Sequence, residues 1–160
     1  MKIHCAYDKL IKIEELKPHP KNPNRHSQVQ LERFCKILAF QGIRRPVRIS
    51  KLSGFVTSGH GLILALEILG EKQAPVNFQD YESEEQETLD LISDNSIALW
   101  AELDLSAINL IVPDIGPIDI DLLGIKNFEI EPADFKQKRF SKCPQCGFQA
   151  ADSIYSQETS

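Results

Sequence analysis

The sequence predicts an α/β (α+β) domain, a small mixed sheet with packed helices, followed by short C-terminal helices and a tail. Three observations predict it. Strand-like segments at 10–16, 46–50, 55–57 and 74–78 alternate with helical periodicity at 27–41, 62–69 and 83–100. At 55–70 a strand runs straight into a glycine turn and then an apolar helix. From Asn127 the pattern fades, and 160 residues hold one core and an appendage. The expected division is a main domain over 1–100, a helical extension over 101–126, and a linker and tail over 127–160.

Residues 10–16 alternate well enough for a first strand. The segment 17–26 holds three prolines and two asparagines, which forbids a helix or a central strand and leaves an extended loop. Ser27 is placed to cap the next helix, with Gln30 three residues later completing a capping box. Leu31, Phe34, Ile37 and Leu38 give that helix one buried face, and Gly42 suits a left-handed end. Pro46–Ser50 and Phe55–Thr57 read as strands of a hairpin turning at Ser53-Gly54. An apolar helix follows from Leu62 to Leu69, stopped by Gly70. In the 74–78 strand, Pro75 favours a strand start or a sheet edge. Ser83 opens a helix to about Trp100 with acids in its first turn, where the macrodipole favours them. Short helices are expected near 104–111 and 118–124, and a disordered polar tail after 147.

Charge is unevenly spread. Residues 1–51 carry 12 Lys/Arg against 4 Asp/Glu, and residues 52–131 carry 2 against 16. Such a basic third either faces nucleic acid or nucleotide, or pairs with the acidic body. The longest apolar run, Leu62–Leu66, is far short of a membrane span, and the N-terminus lacks a signal-peptide core. The expected location is cytoplasmic, in a bacterial cell. Cys5 and Cys35 are isolated, so reduced thiols are the default. Cys143 and Cys146 make half of a zinc ribbon, which needs two more ligands, as from a second chain; otherwise they are two exposed thiols.

The chemistry-bearing feature is Thr57-Ser58-Gly59-His60-Gly61. A tight turn opening a helix aims unpaired N–H groups and the positive end of a dipole at one point. Glycines at 59 and 61 allow an anion close to the backbone, and His60 is able to donate a hydrogen bond or shuttle a proton. The same glycines would serve the turn's geometry if nothing were bound. Likewise, Arg44, Arg45 and Arg48 read as solvated sheet-edge charges on local grounds, His19 and His26 as exposed loop residues, and Trp100 as a core or interface anchor.

Three segments in order resemble the ParB/sulfiredoxin superfamily, in particular the phage-type ParB-like N-terminal (ParB-like nuclease) domain. They are Glu15–His26; Gln41–Val47 followed by Val56–Gly61; and Ser93-Asp94-Asn95-Ser96. The resemblance implies a nucleotide or phosphate pocket lined by Ser58, Gly59, His60 and Gly61, with Arg25, Arg44, Arg45 and Asn95 as further contacts. It implies CTP or ATP/ADP with magnesium as cofactor, Asp94 near the metal, and His60 and Asp94 as catalytic residues if the chain is active. Three departures stand out, one being that the arginine expected after Asp94-Asn95 is missing, with Ala98 near that place. Gly61 and Leu62 occupy positions where relatives carry phosphate-reading arginines, and Ser58-Gly59-His60 lacks the cysteine that sulfiredoxin chemistry needs. The expectation is therefore a domain that binds nucleotide or nucleic-acid phosphate, as a phage DNA-processing or modification accessory. A DNA nuclease or nucleotide-dependent phosphotransferase, and a non-catalytic adaptor, are the alternatives. Expected partners are nucleotide or DNA, with a homodimer open and no membrane.

Overall fold

The computed structural model describes residues 1–97, 99–115 and 119–125, within a unit running from Met1 to Glu129. Its strands are β1 (Lys9–Lys12), β2 (Lys17–Pro18), β3 (Val47–Ser50), β4 (Phe55–Ser58) and β5 (Gln73–Gln79). The helices are α1 (Gln28–Gln41), α2 (His60–Ile68), α3 (Glu84–Ile97) and α4 (Leu105–Ile115). The sheet is mixed, in the order β1-β5-β3-β4-β2, with β3–β5 and β2–β4 parallel and the other pairs antiparallel. The fold class is the expected one. Residues 127–160, including Cys143 and Cys146, lie outside the described residues, as does Ala98.

Several elements differ from expectation for identifiable reasons. The first strand stops at Lys12 because Ile13 and Leu16, three apart, both point into the core; a 3-10 turn at Ile13–Glu15 puts them there. Gly42 ends α1 at φ 71° as expected, but its ψ of −173° is extended rather than left-handed helical. The capping box is half made. Ser27 Oγ accepts from the Gln30 N–H at 3.2 Å, while the Gln30 side chain pairs with His26 Nδ1 instead. β5 is an interior strand despite Pro75, because the parallel ladder to β3 starts one residue later, at Val47 and Val76. The helix expected to reach Trp100 ends at Ile97, and Trp100 is 78% exposed, not part of the core.

The core joins Val47, Val56 and Val76 of the sheet to Ala65 and Leu66 of α2, all without measurable exposure, and to Cys35 and Leu38 of α1. Cys35 Sγ lies 3.5 Å from the Ala65 carbonyl, so α1 and α2 meet closely at a small residue. α3 buries only Glu87 and Leu91, against β4. Burying a carboxylate there is the least predictable feature of the fold.

Part of the charge asymmetry is internal pairing. Arg48 meets Asp90 and Asp94, Lys51 meets Asp80, and Lys36 meets Asp119, each joining the basic third to the acidic body. Among the described residues no helix is long and apolar enough to cross a membrane.

Candidate functional site

The turn between β4 and α2 depends on Gly59. It sits at φ 98°, which L-residues rarely adopt, and a Cβ there would come within 3.2 Å of the Val47 Cα on the central strand. The first intrahelical bond of α2 runs from the Ile63 N–H to the Gly59 carbonyl at 3.0 Å. The N–H groups of His60, Gly61 and Leu62 therefore precede the helical ladder and face the open end of the helix. Leu62 itself is buried in the core, so it offers the site only its backbone. Gly61 is covered by a ring: a Cβ on it would lie 2.9 Å from His26 Cε1.

A cleft of about 670 Å³ opens in front of this turn. One wall is the turn itself, Ser58 to Leu62; Arg44, Arg45 and Arg48 stand beside it, and Asp94 and Asn95 come from α3. Phe34, Ile37 and Leu38 of α1, with Ile43, add apolar lining. Volume and mixed lining match a small-molecule site. Of the residues expected here, Arg25 is the exception; it is exposed and does not line the cleft. Arg44 and Arg45 are exposed, with Arg44 Nε held by the Gln41 carbonyl at 3.0 Å. Asn95 Nδ2 donates to the Leu91 carbonyl at 2.8 Å, which ties its amide to its own helix.

His60 is held by the loop expected to be merely extended. Its Nε2 accepts the His19 backbone N–H at 3.3 Å, so in the neutral ring the proton sits on Nδ1. Burial, reinforced by the fields of His26 and His19, pushes its pKa below the ordinary 6.5. The unfolded chain thus takes up a proton near 6.5 that the folded chain resists. The stability contributed by His60 is complete above pH 6.5 and lost as the pH falls through the lower folded value. Protonation also removes the lone pair that His19 needs. The Tm of the wild type should therefore fall more between pH 7 and 5 than that of His60→Gln. Parallel curves for the two proteins would assign the acid sensitivity elsewhere.

His19 is buried rather than exposed. Its Nδ1 accepts the Lys21 N–H at 3.1 Å, which leaves Nε2 as the donor to Glu87 Oε1 at 3.2 Å. Glu87 also accepts from Ser50 Oγ at 2.7 Å and Ser53 Oγ at 2.5 Å. This cluster pins the proline-rich loop to the β3–β4 hairpin and α3, and so fixes Asn24 and His26 at the cleft.

The clamp of Arg48 by Asp90 and Asp94 escaped the sequence reading. β3 is the central strand, not an edge, and the Arg48 guanidinium is clamped by Asp90 Oδ2 at 3.0 Å and Asp94 Oδ1 at 2.8 Å. Tyr81 donates to the same Asp90 oxygen at 2.6 Å, and Ser58 Oγ donates to Asp94 Oδ2 at 2.9 Å. Partial burial works against ionisation of Asp94, but the Ser58 hydrogen bond and the Arg48 contact outweigh it and lower its pKa. The usable signal was the spacing of Glu87, Asp90 and Asp94, which puts three carboxylates on one face of a helix.

The donor set does not show the expected magnesium site. Both Asp94 oxygens are engaged by Arg48 and Ser58, and the described residues hold no group of three or more His, Cys, Asp or Glu placed around a common ion.

No family model and no curated protein matches the chain. Among solved structures, the chain is similar to the C-terminally truncated chromosome-partitioning protein ParB from Caulobacter crescentus, complexed with CTP-γ-S. The identity is 19% and the TM-score 0.53, over 64% of this chain and 58% of that one. A Pnob8-like ParB-N domain matches at 18% identity and TM-score 0.43, over 53% of this chain and 34% of that one. A free serine kinase in complex with AMP matches at 28% identity and TM-score 0.41, over 51% and 34%. The chain shares its fold with the C-terminally truncated ParB structure, and it spans less than two thirds of the length of these structures.

Proposed function

We propose that this domain binds a nucleotide in the cleft, with its phosphates at the Ser58–Leu62 turn and its base against the apolar side chains of α1. The observation that carries this is the mixed lining of the cleft. Free helix N–H groups, the Ser58 hydroxyl and exposed Arg44 and Arg45 line it together with apolar side chains of α1, Phe34, Ile37 and Leu38. A helix N-terminus flanked by guanidinium groups suits phosphate, while an apolar wall suits a base. The structure of similar fold solved with CTP-γ-S puts nucleotides first among the anions to test. A role in phage DNA processing and turnover are finer expectations carried only by the family resemblance, and DNA binding rests on it together with the basic N-terminal third.

Calorimetry with CTP, ATP and ADP, each with and without magnesium, tests the reading. At least one should bind, and Arg45→Ala should weaken it by about tenfold or more, since a hydrogen bond to a charged group is worth about 1.5–3 kcal/mol. No heat with any of the three would leave a non-catalytic adaptor as the better account.

A further inference from the structure

We infer that the Asp94 carboxylate is a built-in occupant of the phosphate subsite, which an incoming phosphate must displace. This deepens the nucleotide-binding reading and rests on it. Asp94 makes the contacts an oxyanion would make there. Its Oδ2 takes the hydroxyl of Ser58, the last residue before the helix-opening Gly59, at 2.9 Å. Its Oδ1 takes the Arg48 guanidinium at 2.8 Å. A phosphate lying against the His60–Leu62 N–H groups would seek the same hydroxyl and the same guanidinium, and would meet a like charge. The single Ser58 proton does not serve both anions at once.

The residue is also placed to move. Asp94 is only partly buried, and beyond Leu91 no residue of α3 is buried; among the described residues its hydrogen bonds to Ser58 and Arg48 join this end of the helix to the sheet. Asp90 differs. It holds Arg48 from the other side and takes the Tyr81 hydroxyl, which also reaches Thr57 Oγ1 at 3.2 Å, so it supports the guanidinium without touching the turn. Exchange of a phosphate for Asp94 would leave Arg48 still oriented by Asp90. The direction of the effect is opposite to that of a metal-holding or catalytic carboxylate, whose removal weakens binding or turnover.

The experiment is calorimetric titration of ADP and CTP in EDTA, and again with magnesium, into the full chain and its Asp94→Asn and Asp90→Asn variants, with Asp94→Ala as a second probe should the amide distort the clamp. Expected is a tightening of about tenfold in Asp94→Asn, echoed by Asp94→Ala, and a clearly smaller change in Asp90→Asn. Binding by Asp94→Asn where the wild type shows none would be the strongest form of support. Equal tightening in both asparagine variants would mean a general charge effect and overturn the displacement; so would unchanged or weaker binding in Asp94→Asn while the wild type binds. Silence from all the proteins would instead bring down the nucleotide site itself, and the inference with it.

Discussion

Replacing Glu87 with alanine should destabilise the domain by about 3 kcal/mol or more, because it strands three donors, the Ser50 and Ser53 hydroxyls and the His19 Nε2–H, at about 1–3 kcal/mol each. The reason is the one-way wiring around the carboxylate. Ser50 Oγ already accepts from the Leu52 and Ser53 N–H groups, and Ser53 Oγ accepts from the Phe55 N–H. Each hydroxyl therefore has its proton left for Glu87, and His19 points its Nε2 there because Nδ1 is taken. Glu87 has to accept on both oxygens, as only a carboxylate does. Glu87→Gln keeps the shape but turns an NH2 group towards donors, and should still cost about 1–3 kcal/mol. Urea unfolding of the three proteins checks this. An alanine variant within about 1 kcal/mol of wild type would show that the cluster relaxes without its acceptor. Because His19 belongs to the cluster and its N–H holds His60, the same variants should also loosen the loop at the mouth of the cleft.

Gly59→Ala should cost about 2–5 kcal/mol, combining about 1–2 for a side chain at positive φ with about 1–3 for overpacking against a neighbour. The neighbour is backbone: Val47 Cα lies 3.2 Å from the new methyl group, on a central strand paired on both sides. It has little room to give. Gly61→Ala is the matched control. There the obstacle is the His26 ring, a loop side chain that is able to swing away, and alanine favours the helix over glycine by about 1 kcal/mol. Its stability should stay within about 1 kcal/mol of wild type. Thermal unfolding of the two variants separates a glycine needed for the fold from one that leaves room for a ring. Equal losses at 59 and 61 would refute that division.

Much of the framework follows from local sequence alone. The strand-to-helix turn was legible because a short apolar strand, two glycines and an apolar helix occur in direct succession, and each acts within a few residues. The Ser27 cap, the β3–β4 hairpin and the end of α2 at Gly70 were legible for the same reason. Strand order was not, since Pro75 reads as an edge signal unless its ladder is known to begin at Val76. Nor did the sequence distinguish exposed charge from clamped charge. Arg48 looks like any strand arginine until α3 lays Asp90 and Asp94 across it, 42 and 46 residues away in the chain. His19 looks like a loop histidine until Glu87 is buried opposite it, across a sequence gap of more than 60 residues.

The sequence by itself determined that a helix opens on a glycine turn with free N–H groups, because backbone geometry there is set by Gly59 and its immediate neighbours. Only the tertiary structure decided what lines the cleft with that turn: apolar side chains of α1, two exposed arginines, and the carboxylate of Asp94 already bound to Ser58 and Arg48. Those contacts join segments distant in sequence, and their energies depend on burial and direction, which no spacing along the chain encodes.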